Sequence, residues 1–222
     1  MTYPVIHVKQ PPELRSFFGA PEWGAAPAGK IDRFHARSSA HHPAAQFRLL
    51  YSDDALHLKF HVSDRYVLAR RTHPHDFVCN DSCVEFLVAP ESGDGYLSFE
   101  MNCIGTLLSY HSRDWRRISG GFVNYERLSP ELFQSVQLET TFSEVIQEEI
   151  ASPVEYEVAL RIPFALFQKT TNVPPPRPGT RWHGNFFKCA DESSRPHWAS
   201  WQPIGEELNF HQPHYFGELL FQ

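Results

Sequence analysis

Two kinds of chemistry overlap in the segment HDFVCNDSCVEFLVAP, which runs from His75 to Pro90. His73, His75, Cys79 and Cys83 are residue types that hold zinc. Their spacing is not the paired CxxC of a zinc knuckle, and Cys83 opens a run that reads as a strand. Loop histidines and core or half-exposed thiols are the simpler reading. A second carboxylate, Glu100, lies with Asn102 in YLSFEMNCIG, out of phase with Leu97, Phe99 and Met101. If the two strands pair, Glu85, Glu100 and Asn102 share one face. Facing Cβ atoms lie about 4.5–5.5 Å apart, so these groups can meet one ligand. The same face carries Cys83, Leu87 and Tyr96, which do not suit an open, watery surface. Two carboxylates suit two uses. A retaining glycosidase needs its pair about 5–5.5 Å apart and flanking the bond. A binding site uses carboxylates to accept hydrogen bonds from sugar hydroxyls.

The aromatic residues bear on the same question. Trp198 and Trp201 fall in RPHWASWQPI, a segment with two prolines and little alternation. Either they cap the end of the fold or they offer a face on which the C–H side of a sugar ring can lie. Phe77 has the same two readings. The chain has 13 histidines, and most lie in loop-like stretches such as AHHPAA and NFHQPHYF, which single out no metal-ligand pair.

Strands must position these groups. ALHLKFHV, from Ala55, alternates with period two and sets Leu56, Leu58, Phe60 and Val62 against His57, Lys59 and His61. YLSFEMNCIG and VEYEVALRIPF repeat that pattern. Further strands are expected at 5–8, 47–51, 83–88, 106–112, 135–141, 182–190 and 215–221. YSDDA reads as a hairpin loop. Pro130 and Pro163 suit the first positions of short helical turns, and NVPPPRPG reads as a stiff loop. The expectation is an all-β antiparallel β-sandwich of about ten strands, one domain over residues 1–222.

The 222 residues carry a net charge of −6, which excludes an ordinary nucleic-acid binder. No stretch approaches the ~18 apolar residues of a membrane span. The start, MTYPVIHVKQPPEL, lacks the pattern of a signal peptide, so the four cysteines are expected to be reduced thiols in the cytoplasm, with secretion the alternative if a leader has been trimmed away.

Taken in order, FVCNDSCVEFLVAP, GYLSFEMNCIGTLLSY, YEVALRIPFALF, HGNFFKCADE and HWASWQPI…NFHQPHYFGELLF resemble carbohydrate-binding module family 9 and its DOMON-like relatives. YSDDALHLKFHVSD resembles that family's first long hairpin strand. The resemblance spans Phe47 to Phe221, leaving 1–46 as an N-terminal strand and loops. It implies a sandwich with a sugar-binding cleft in which two aromatic rings clamp a sugar. Phe77 matches the first ring; Trp198, Trp201 and Phe210 are open for the second. Glu85 matches the family's strand glutamate, and Glu100 with Asn102 matches its polar pair. Glu100 stands where that family often has a basic residue. Lys188 supplies the missing charge if it projects into the same cleft. The resemblance implies non-catalytic carbohydrate binding, with a protein partner as a further expectation. It also leaves three ideas open: structural calcium on oxygen donors such as Asp53, Asp54 and Asp64; haem held through Met101; and glycoside processing by Glu85 and Glu100.

Overall fold

Alternation decides which side of each strand is apolar, and register decides which apolar sides meet. The computed structural model describes residues 1–91, 93–119 and 121–222. In chain order the first strands are β1 (Thr2–His7), β2 (Gly29–Ile31), β3 (Arg33–Phe34), β4 (Ala44–Tyr51), β5 (Ala55–Asp64), β6 (Val67–Ala69), β7 (Cys83–Ala89) and β8 (Tyr96–Asn102). They are followed by β9 (Leu107–Ile118), β10 (Gly121–Arg127), β11 (Gln137–Thr140), β12 (Ile146–Ile150), β13 (Val154–Pro163), β14 (Arg181–Cys189), β15 (Trp198–Ser200) and β16 (Gly217–Phe221). Helix α1 spans Pro130–Ser135 and α2 spans Phe164–Thr171.

The ten strands expected from alternation are all present. β2, β3, β6, β10, β12 and β15 are additional. Four of them, β2, β3, β6 and β15, have at most three residues, too few to show a period. β10 (GFVNYER) and β12 (IQEEI) are polar, and each pairs with a single partner strand.

One sheet runs β10-β9-β8-β7-β14-β16-β1, and the other β1-β4-β5-β13-β11. β1 belongs to both: Thr2 to Val5 pair with β16, then Ile6 and His7 pair with β4. Both of these pairings are parallel, whereas the other pairings are antiparallel. The core lies between the sheets. Phe47, Leu58 and Phe60 meet Phe86, Phe99 and Phe186 there, with the Phe47 and Phe186 rings stacked 3.5 Å apart at 15°.

Helix starts follow local chemistry. Ser129 caps α1, its hydroxyl accepting from the Leu132 amide at 3.4 Å, with Pro130 in the first turn. In α2, Pro163 is the residue before the helix, and Asn172 ends it in the left-handed region at φ 57°.

The outer faces are less open than alternation suggests. On β5, His57 and Lys59 are buried. The N-terminal loop covers Lys59, whose Nζ donates to the Leu14 carbonyl at 2.8 Å and sits 5.4 Å from the Trp23 ring, while His57 bonds the Ser52 hydroxyl at 3.0 Å. On the other sheet, Ile204, Phe210 and Phe216 from the C-terminal loop pack against Leu87, Tyr96 and Phe187. That second cover forms one wall of the site. Among the described residues no helix is long and apolar enough to cross a membrane.

Candidate functional site

Register assembles a polar floor on the outer face of the β7–β8–β14 region. Glu85 faces Glu100 across the β7–β8 pair, and Phe187 faces Glu85 from β14. One step of two residues along, Cys83 lies between Cys189 on β14 and Asn102 on β8. Glu85 and Glu100 line a cleft of about 290 Å³ together with Arg37, Arg117, Asp191 and Trp198. Leu208, Asn209, Phe210 and His211 of the C-terminal loop form its wall, and Cys79 and Cys189 line it near the carboxylates. This volume is at the lower end of small-ligand pockets.

The two carboxyl groups are only 2% and 4% exposed. One oxygen of each, Glu85 Oε2 and Glu100 Oε1, has no hydrogen-bond partner. Glu85 Oε1 accepts from the Cys189 thiol at 3.3 Å. Burial raises the Glu85 pKa well above its ordinary value, and the neighbouring Glu100 charge adds to this. Burial likewise raises Glu100, partly offset by the hydroxyls of Tyr110 and Ser98 and by Arg117. The floor therefore holds protons to a higher pH than surface glutamates do, and it can donate as well as accept.

His211 stays neutral, since burial and the Arg117 charge lower its pKa to about 3. Its ring lies 2.9 Å from the Tyr96 hydroxyl and 3.1 Å from that of Tyr110, which fixes the loop to the sheet. The Trp198 indole N–H donates to Asp191 at 2.7 Å, and this orients a half-buried ring at the cleft edge.

The structure brings together three of the seven expected site residues: Glu85, Glu100 and Trp198. Phe77 is 68% exposed, two residues before Cys79 of the cleft lining. Asn102 is buried and fully engaged. Its amide donates to the Arg71 carbonyl at 2.8 Å and to Asp81 at 2.9 Å, and its oxygen accepts from the Thr106 amide at 2.8 Å. Asp81 also accepts from the Arg70 and Arg71 amides, so this pair pins the loops rather than lining the cleft.

Trp201 faces the core, at T-shaped angles to Tyr3 and Phe47. Its indole packs on Gly217, where a Cβ would come within 2.5 Å. Phe210 takes the cleft side instead and stacks on Phe187 at 4.1 Å. Lys188 does not pair with Glu85 or Glu100. It shares a strand face with Phe186, so it enters the interior, where Nζ lies 3.1 Å from Asp64 and 2.7 Å from His197. The cleft's cations are Arg37 and Arg117. Irregular pairing of β9 with β10 accompanies the turn of Trp115 and Arg117 toward this side, which no local pattern signals. Cys189, which its strand pattern alone reads as a core thiol, instead lies on the Phe187 face and lines the cleft.

The other expectations separate in space. Asp53 lies 2.8 Å from His7, and Asp54 pairs with Arg161, both at the start of β5. Asp64 ends that ten-residue strand, about 30 Å away, so the three do not fit one calcium ion. Met101 is enclosed in the core and does not reach the cleft with its sulfur. His73 pairs with Asp76, and His75 packs on Phe133 at 4.6 Å, so they do not converge with Cys79 and Cys83. Glu85 and Glu100 rise from one face of one sheet and meet the cleft from the same side, rather than flanking it.

The sequence profile of carbohydrate-binding family 9 matches residues 24–221. Among solved structures, a candidate carbohydrate-binding protein from Bacteroides uniformis ATCC 8492 is 28% identical, with a TM-score of 0.86 over 100% of this chain and 99% of its own. A family 9 module from Caldicellulosiruptor kristjanssonii in complex with cellotriose is 15% identical, with a TM-score of 0.64 over 100% of this chain and 94% of its own. The glucose complex of a family 9 module from the same organism gives 14% and 0.63, over 100% and 96%. No curated protein matches the chain. With its profile matched over nearly the whole length and the same fold in these structures, the chain belongs to carbohydrate-binding family 9.

Proposed function

We propose that the cleft binds the end of a saccharide without chemical change to it. The observation that carries this is the half-buried Trp198 ring beside two buried carboxyl groups that each have an unpartnered oxygen. A sugar ring has an apolar C–H face for the indole and hydroxyls for Glu85 and Glu100. Arg37 and Arg117 add donors at the rim. Phe77 is the first ring of the clamp and Trp198 the second; the exposure of Phe77 leaves it free to close on a ligand, and large exposed aromatics mark interaction sites. Family membership and the glucose and cellotriose bound in two solved structures of this fold support the ligand class. That both carboxyl groups lie on one side of the cleft supports binding over glycoside cleavage.

The test is a glycan array, followed by calorimetry with glucose and cello-oligosaccharides on the wild type, Trp198→Ala and Glu85→Ala. Binding by the wild type that both substitutions weaken is expected. Binding that survives both in folded protein places the sugar elsewhere, and no binding to any glycan refutes the reading.

A further inference from the structure

The floor of the cleft contains a second constellation, which shares only Glu85 with the proposed saccharide site. Cys83 and Cys189 are direct cross-strand partners on β7 and β14. Their sulfurs and one Glu85 oxygen all lie within 4.8 Å of one another. We propose that Cys83, Cys189 and Glu85 bind a borderline-soft divalent cation of the zinc type, with a fourth position open to the cleft.

The donor set selects the metal class. Two thiolates and one carboxylate suit zinc, whereas magnesium and calcium take oxygen shells. The dimensions also suit it. Zn–S bonds of about 2.3 Å and Zn–O bonds of about 2.0 Å in a tetrahedron give edges of about 3.8 Å for S···S and 3.5 Å for S···O. The Cys189–Glu85 edge is already 3.3 Å. The remaining edges need to close by at most about 1 Å for S···S and about 1.3 Å for S···O, which side-chain rotations supply. All three ligands stand on paired strands, which hold a site more exactly than loops do.

Two further observations point to a ligand. Glu85 is 2% exposed, yet its Oε2 has no partner. Glu85 and Cys189 both line the cleft, so an ion has a path in and keeps a face open to water. Uptake releases the thiol protons to solvent. Two thiolates and a carboxylate around a divalent ion leave one net negative charge, and Arg117 lies on the same cleft to face it. Cys79 also lines the cleft but lies outside the group.

The test is titration of the full chain, kept reduced with a phosphine, with cobalt(II) and then zinc, without sugar. Visible bands of tetrahedral cobalt–thiolate coordination are expected at one equivalent, displaced by zinc. Circular dichroism and a melting curve first establish that each variant is folded. Cys189→Ser and Cys83→Ser should abolish the bands, and Glu85→Gln should weaken binding by more than about tenfold. Cys79→Ser should leave it unchanged. Absence of the bands in the wild type, or their loss in Cys79→Ser with retention in Cys189→Ser, overturns the site. Sugar binding is measured separately with a chelator present. A chain that binds glycan but no cobalt fails only here, and one that binds cobalt but no glycan fails only the saccharide reading.

Discussion

Lys188→Met separates the interior lysine from the cleft. Lys188 and Asp64 have no solvent-exposed side-chain surface, and their charged atoms lie 3.1 Å apart. Asp64 also bonds His41 at 2.7 Å and the Arg65 amide at 2.7 Å, while Lys188 Nζ donates to the Cys189 carbonyl at 3.1 Å. Removing the ammonium takes the lysine counter-charge from a buried carboxylate, which typically costs about 3–5 kcal/mol. With a slope of about 2 kcal/mol per molar urea, the unfolding midpoint falls by about 1.5–2.5 M. The melting temperature falls by about 6–20 °C for a domain of this size. Lys188→Met with Asp64→Asn should recover part of the loss, because a neutral amide still meets the Arg65 amide without a stranded charge. Urea unfolding followed by tryptophan fluorescence reads the midpoints, and calorimetry below the transition reads saccharide affinity. The folded single variant should keep that affinity, since the pair lies on the far side of β14 from Glu85. An unchanged midpoint with lost affinity would show that the lysine serves the cleft, and would refute the reasoning.

The two tryptophans divide by function: Trp198→Ala should weaken saccharide binding by about tenfold to a hundredfold, from the 1.5–3 kcal/mol of covering an aromatic ring. Trp201→Ala should instead destabilise the fold by about 3–5 kcal/mol with affinity retained while folded, a split that calorimetry and melting curves resolve. Glu100→Gln should flatten the pH dependence of stability. The raised carboxyl stabilises fully below its ordinary value of 4.5 and loses that contribution as pH rises through the raised value, so the wild type weakens upward from pH 4.5 and the variant does so less. Melting curves across that range read the difference, and equal slopes would refute it. Asn102→Ala should cost about 1–3 kcal/mol by leaving the Asp81 side of the loop underbonded, with little change in glycan affinity.

The strands that pass through the core were legible because burial imposes a period. Leu97, Phe99 and Met101 face inward and Glu100 outward, as YLSFEMNCIG reads. Register was legible only as a condition: pairing of β7 with β8 puts Glu85 opposite Glu100, but nothing local dictates that pairing. β2, β3, β6 and β15 were too short to carry a period. Phase explains Lys188, because one residue's shift along β14 moves a side chain from cleft to core. The same phase, followed one residue further, puts Cys189 beside Glu85. Arg37, Asp191 and His211 come from segments without alternation, so only the folded chain could bring them to the site.

A glutamate pair buried beneath an open cleft opposes stability. Each carboxyl group loses water on folding, and the neighbour makes ionising both costly. A purely structural floor would fill these positions with apolar side chains, as Leu87 and Phe187 do beside them. Here the sheet instead holds unpartnered oxygens rigidly at the base of a cavity, with hydroxyls and Arg117 limiting the penalty. Donors and acceptors that are already desolvated and fixed need little further ordering when a polyhydroxylated ligand arrives. On the saccharide reading proposed above, the cost in stability and the capacity to bind reside in the same atoms. Replacing both glutamates by glutamine should thus raise the melting temperature above pH 4.5 while reducing saccharide affinity. A double variant in which stability and affinity rise together would break that link.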